Sequence, residues 1–339
     1  MKASLSRLAQ DAPRLFFRYG TVVGLLALCV FFAVLTPEHT FISRLNIINL
    51  ANQIAVNCIL AVGMTFVIIS AGIDLSVGSV LALCGVLCAY VIRRGLYLVA
   101  FGYKLTLIPL LDSPVAMVVF GALAALAIGA ALGAISGRLI ARFALPPFIA
   151  TLAVMLVARG SAFVACGGRP IGELPEAFTI IGVAPRMLVP IPIYIMAGVV
   201  VLAWLLLMRT SFGRAVFAIG GNESAAWLSG IPVARVKVLI YAISGLMAGL
   251  AAIIQAAKLM SGDPKEGQMF ELDAIAAVVV GGTSLMGGRG SITGTVVGAL
   301  IIGVMNNGLS HMHVDQYWQW IVKGLVILGA VLLDKFNER

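Results

Sequence analysis

Apolar runs of about twenty residues recur from one end of the chain to the other, separated by short stretches rich in charge, glycine or proline. At 1.5 Å per helical residue, a run of that length matches the ~30 Å hydrocarbon thickness of a bilayer. The pattern predicts ten membrane crossings, at roughly 19–36, 51–70, 77–92, 114–135, 148–166, 193–208, 238–257, 273–286, 294–309 and 318–333. The eighth is too short to span comfortably. The expected fold class is an all-α integral membrane protein. Residues 19–333 form the transmembrane unit, between an N-terminal segment 1–18 and a tail 334–339 that both lie in the cytoplasm.

Two places break the pattern. From Val56 to Ile92 run thirty-seven residues in which Asp74 is the only acidic or basic side chain. As one helix they would measure about 55 Å, so the chain must turn back. The stretch "SAGIDLSVGS" supplies Gly72 and Gly78 for tight backbone, and Asp74 or Ser76 can cap the first amides of the next helix. Because a carboxylate inside the bilayer costs ~2.5–3.5 kcal/mol, a cap near the inner surface is the favoured reading of Asp74. The alternative is a recessed charge in a moving gate beside the transport path. The second break is "GGTSLMGGRGSITGTVVGALIIGV", residues 281–304. Aligned without gaps, Gly72, Gly78, Ser79 and Val80 fall on Gly288, Gly294, Thr295 and Val296. Corresponding breaks in two halves point to an internal repeat hinged at Gly72, Gly78, Gly288 and Gly294. Both following helices are expected to run outward, so the repeat is parallel.

Composition narrows the class. The chain is 61% hydrophobic and 11% charged, against the ~25% charged of a soluble domain, which excludes a soluble reading. The net charge of +9 is carried by scattered basic residues without aromatic interleaving, so nucleic acid is not an expected partner; the bilayer is. With the N-terminus inside, thirteen basic residues fall on inner segments and eight on outer ones, and Arg159 and Lys323 lie within predicted spans. Lys2, Arg7, Arg14 and Arg18 precede the first run, and "TPEHTF" after it lacks a small-residue cleavage pattern, so it reads as an uncleaved helix. The five cysteines sit in apolar runs without CxxC spacing and read as small hydrophobes. His311 and His313 form an HxH in an outer loop with no third ligand nearby, and no metal site is expected.

The most polar inner loop is "RTSFGRAVFAIGGNESAAWLSGIPVARVK", residues 209–237. Asn222 is placed to cap a helix of about seven residues, Glu223 sits in its first turn at the positive end of the dipole, Gly230 can end it, and Pro232 prevents its resumption. So short a helix is unstable alone in water and needs a surface to dock on. It is either an interfacial connector or a handle for a cytoplasmic partner. In the second case Gly220 to Ile231 form the coupling segment, with small Ala225 and Ala226 permitting close approach.

Asn49, Gln53, Asn57, Ala61 and Thr65 recur every four residues and share one face of the second helix. Their amides suit hydroxyl-rich solutes and suit hydrogen bonds between helices equally well. Asn306 and Asn307 on the ninth helix are similar. Glu271 and Asp273 read as solvated at the outer mouth of the eighth segment. There is no G-x-x-x-x-G-K-[ST] and no Gly-Lys pair at all, so ATP and its Mg must be bound by a partner, and no enzyme chemistry or cofactor is expected in this chain.

"GGNESAAWLSGIPVARVK" resembles the coupling loop of the membrane subunits of ABC importers, in particular the ribose-type carbohydrate permeases. "GIDLSVGS" and "ELDAIAAVVVGGTSLMGGRGSITGTVVGALIIGVMNNGL" resemble further stretches of that family, and the similarity runs from about Asn46 to Leu333. The resemblance implies a homodimeric or paired permease, two cytoplasmic ATPase subunits and an extracytoplasmic solute-binding protein, importing a monosaccharide or similar polyol across a bacterial inner membrane. The outer loop 93–113 is longer than expected of ribose members. A stand-alone carrier or facilitator, and an ABC permease for branched-chain amino acids, are the alternatives.

Overall fold

The computed structural model describes residues 20–94, 96–100, 103–108, 113–182 and 189–337. The segment 1–18, with its four basic residues, lies outside them, as do the last two residues of the expected tail and part of the 93–113 loop. Every one of the ten apolar runs is a helix. They are α1 (Gly20–Leu35), α2 (Arg44–Ile69), α3 (Val77–Arg94), α4 (Pro114–Phe143), α5 (Pro147–Cys166), α7 (Ile191–Arg209), α10 (Val233–Leu259), α11 (Phe270–Val280), α12 (Ile292–His311) and α13 (Gln316–Asn337). Three short α-helices, α6 (Glu176–Thr179), α8 (Ser211–Gly221) and α9 (Glu223–Leu228), and a 3-10 helix, Pro37–Ile42, lie between them. Among the described residues seven helices are long and apolar enough to cross a membrane, so the expected ten crossings reduce to seven clear spans. α1, α11 and α13 occupy the other three runs.

The boundaries move where polar residues continue a helix. The Ser43 hydroxyl accepts from the Asn46 amide, so α2 starts at Arg44, well before its apolar run. α4 continues to Phe143, carrying Arg138 and Arg142, because nothing breaks it before the Pro146-Pro147 pair. The 209–237 loop holds two helices rather than one. Thr210 caps α8 by accepting from the Gly213 amide, and α8 buries Gly213, Val216 and Ile219 at near-helical spacing. The 93–113 loop contributes a β-hairpin, β1 (Leu96–Ala100) against β2 (Tyr103–Ile108), an addition to the all-α reading.

α2 lies at the centre, with every residue from Ile54 to Ile69 buried against α7, α10, α11 and α12. α4 and α10 pack antiparallel through glycines: the carbonyls of Gly245 and Tyr241 lie where Cβ atoms on Gly129 and Gly133 would stand. Small residues one turn apart let two backbones approach closely, which is how helices associate without a hydrophobic drive between them. α10 and α12 both begin on the face that carries α9, and α3 runs in the same direction as α10, with Gly85 beside Ala252 and Ala256. The parallel sense expected for α3 and α12 is present.

Candidate functional site

α9 is built as its sequence suggests. The Asn222 Oδ1 accepts from the Ala225 amide at 2.9 Å, and Gly230, with φ +81°, closes the helix as the Ile231 amide donates to the Ala226 carbonyl. Glu223 binds Lys237 of α10 at 2.7 Å, pinning the short helix to a long one. Ala225 is exposed, whereas Ala226 is buried against the chain itself and cannot be a docking surface for another protein. The large exposed side chains are Trp227 and Leu228, 69% and 77% accessible, neither of them singled out from the sequence. A pocket of about 520 Å³ adjoins Trp227, walled also by the α4–α5 turn, Glu223 and Lys237.

Just before α9, three separate parts of the chain meet. The Ile69 carbonyl, at the last turn of α2, accepts from the Gly288 amide at 2.8 Å, and Gly220 packs so closely that a Cβ on it would collide with that same carbonyl. Gly287 and Gly288, at φ +85° and +72°, make the turn that brings the loop there. The coupling segment and the second break therefore join at the end of α2, where the first break begins. Neither Ile69 nor this meeting was legible from spacing.

From Ser70 to Ser76 the chain is non-helical, turns at Ala71 (φ 59°), and climbs back along α10. Gly72 passes so near Tyr241 that a Cβ would stand 2.5 Å from its hydroxyl. Asp74 is 1% exposed: its Oδ1 accepts from the Ser76 amide at 3.0 Å and the Ser76 hydroxyl at 2.6 Å, and its Oδ2 from the Ser244 hydroxyl at 2.8 Å. Ser244 lies eleven residues into α10, about 16 Å from its start. The expectation of a cap beside water is thus corrected. Asp74 does accept a backbone amide two residues on, as Asp does in turns, but it is enclosed, because the break re-enters the bundle before α3 starts. The first break consequently starts beside the second at the α9 face and ends recessed at Asp74.

α3 and α11 start close together, with Gly78 against the Gly267 carbonyl, and Gly294 of α12 fits against Gly281 at the end of α11. Arg159 of α5 holds this region, donating to the Pro264 and Glu266 carbonyls at 2.8 and 2.6 Å and to Ser79 at 3.3 Å. The other basic residue within a predicted span, Lys323 of α13, pairs with Asp273 at 2.8 Å, and Asn306 donates to the same carboxylate at 3.3 Å. Asp273 is buried, so the solvated reading of it is overturned: α13 covers the start of α11 and brings a cation.

The α2 stripe divides. Asn49 is exposed, Gln53 half-buried, and Asn57 and Thr65 buried; Thr65 bonds Thr295 of α12 at 2.7 Å and is a helix-to-helix contact. Asn46, missed because it lies off the four-residue spacing, exchanges two 2.8 Å hydrogen bonds with Asn307. Its Oδ1 also contacts His311 Nε2 at 2.7 Å, so His311 is tied to α2 rather than solvated in a loop.

The family model described as branched-chain amino acid transport system / permease component matches residues 46–331. The chain is 44% identical over 322 residues to the ribose import permease protein RbsC of Escherichia coli (strain K12), covering 94% of each chain. It is 46% identical over 320 residues to the ribose import permease protein RbsC of Bacillus subtilis (strain 168), covering 94% of this chain and 92% of the other. With the L-arabinose transport system permease protein AraH of Escherichia coli (strain K12) it shares 35% over 350 residues, 99% of this chain and 98% of that one. No solved structure matches.

Proposed function

The chain belongs to the family of branched-chain amino acid transport system permease components, and from that premise we propose that it is the membrane-spanning permease subunit of an ATP-driven importer for a monosaccharide. Its relatives named for ribose and arabinose favour a neutral, hydroxyl-rich solute over an amino acid, and the amides of Asn49, Gln53 and Asn57 suit one. The observation that carries the coupling mechanism is the meeting of Gly220, Ile69 and Gly288. A cytoplasmic ATPase, holding ATP and Mg, grips the exposed Trp227 and Leu228 of α9. Displacement of α9 moves α8, whose end rests on the Ile69 carbonyl, and so reaches the recessed segment at Asp74 and the loop before α12 together. In this arrangement the α9 face and both termini are cytoplasmic, in a bacterial inner membrane. A second permease subunit completes the path, and an extracytoplasmic protein delivers the sugar.

Hydrolysis by the ATPase subunit, reconstituted in vesicles with this chain, tests the assignment. It should rise several-fold when sugar-loaded binding protein is added, and only with the permease present. Sugar flux through the chain alone would assign it instead as a self-sufficient carrier.

A further inference from the structure

On the α9 face, beside the coupling elements but distinct from them, an open pocket of about 590 Å³ lies between the end of α4 and the start of α10. Arg138 and Arg142 stand one turn apart on α4, and Arg235 faces them from the first turn of α10. All three are exposed, and among the described residues none has a hydrogen bond or ion pair, whereas their neighbour Lys237 is held by Glu223. The floor is Ala141, Val238 and Leu239. One turn further along each helix, away from the α9 face, the exposed residues are apolar: Ile135 on α4 and Leu239 on α10.

We propose that this pocket binds an anionic phospholipid, its phosphate held by the three guanidinium groups and its acyl chain laid over Leu239 and Ile135. Guanidinium forks match phosphate oxygens bidentately, and basic pockets between spans at the cytoplasmic side hold acidic headgroups. The start of α10 adds the positive end of its dipole. Positive residues at span ends also set topology, but that needs neither convergence on one pocket nor an apolar floor below it. The floor selects a lipid over a free anion.

The test is thermal unfolding of the full chain in neutral detergent, titrated separately with phosphatidylglycerol, phosphatidylcholine and inorganic phosphate. Phosphatidylglycerol should raise the midpoint by about 4 °C at saturation. Phosphatidylcholine and inorganic phosphate should not. Arg138→Gln, Arg142→Gln and Arg235→Gln together should abolish the shift, and the control pair Arg209→Gln and Arg214→Gln should keep it. An equal shift with phosphatidylcholine or phosphate, or a shift that survives the triple substitution, overturns the proposal. Should the triple variant not fold, native mass spectrometry of the unaltered chain decides: enrichment of phosphatidylglycerol over phosphatidylethanolamine among retained lipids supports the site, and no enrichment refutes it.

Discussion

The Gly288 amide donates to the Ile69 carbonyl at 2.8 Å, and that one bond joins the end of α2 to the loop preceding α12 at the point where α8 also arrives. Bringing Gly220 onto the same carbonyl leaves no room for a side chain. Gly220→Val therefore forces α8 off α2, at a cost of about 1–3 kcal/mol typical of overpacking. Sugar uptake should fall roughly ten-fold or more, with insertion unchanged. Gly221→Val is the control, because the space beside Gly221 is open. Equal uptake by the two variants at matched expression would show that the junction transmits nothing.

The exposed pair on α9 predicts a binding defect. Truncating Trp227 and Leu228 to Ala removes apolar groups that pack against nothing in the chain's interior, so the melting midpoint should hold. Retention of the ATPase on affinity-purified permease should fall about ten-fold or more, as for aromatic hot spots. Ala226→Trp should behave differently and destabilise the chain itself, since Ala226 is buried. If the truncated variant retains its ATPase, the partner docks elsewhere.

Asp74 is recessed and met by three donors. Asp74→Ala leaves the Ser76 amide and two hydroxyls unpaired, a loss of about 3 kcal/mol or more, and should lower the melting midpoint by several degrees. Asp74→Asn keeps one acceptor oxygen for Ser76, and the Ser244 hydroxyl can turn to accept, so the fold should survive. If the charge acts in the moving segment, uptake by the Asn variant collapses all the same. Uptake near the unaltered level would reduce Asp74 to a structural acceptor.

Asp273 and Lys323 tie α11 to α13. Lys323→Met alone strands a buried carboxylate and should cost about 3 kcal/mol, whereas adding Asp273→Asn should recover most of that loss. Thermal midpoints of the two single variants and the double variant close the cycle, and additive losses would mean that the pair is not coupled.

Much of this was readable in advance for identifiable reasons. Apolar runs located ten of the helices because lipid demands unbroken hydrophobic stretches, and Asn222 and Gly230 marked the ends of α9 because capping is local. What escaped depends on packing between distant segments. Nothing near Asp74 in sequence says that Ser244 faces it, and the span ending at Ile69 gives no sign that Gly220 and Gly288 converge there. The glycines at 129, 133 and 137, one turn apart, were a legible sign of a close helix pair and went unread. Lys323 was recognised as lying in a span, but its partner Asp273 could be found only once α13 was seen to cover α11.

The most direct measurement is ATP-dependent sugar uptake into proteoliposomes holding this chain and its ATPase, with binding protein outside and ATP inside. The account predicts accumulation of a monosaccharide that disappears when the ATPase, the binding protein or ATP is omitted, and that Gly220→Val abolishes while ATP is still hydrolysed. Uptake that persists without ATP or without the ATPase subunit would contradict it.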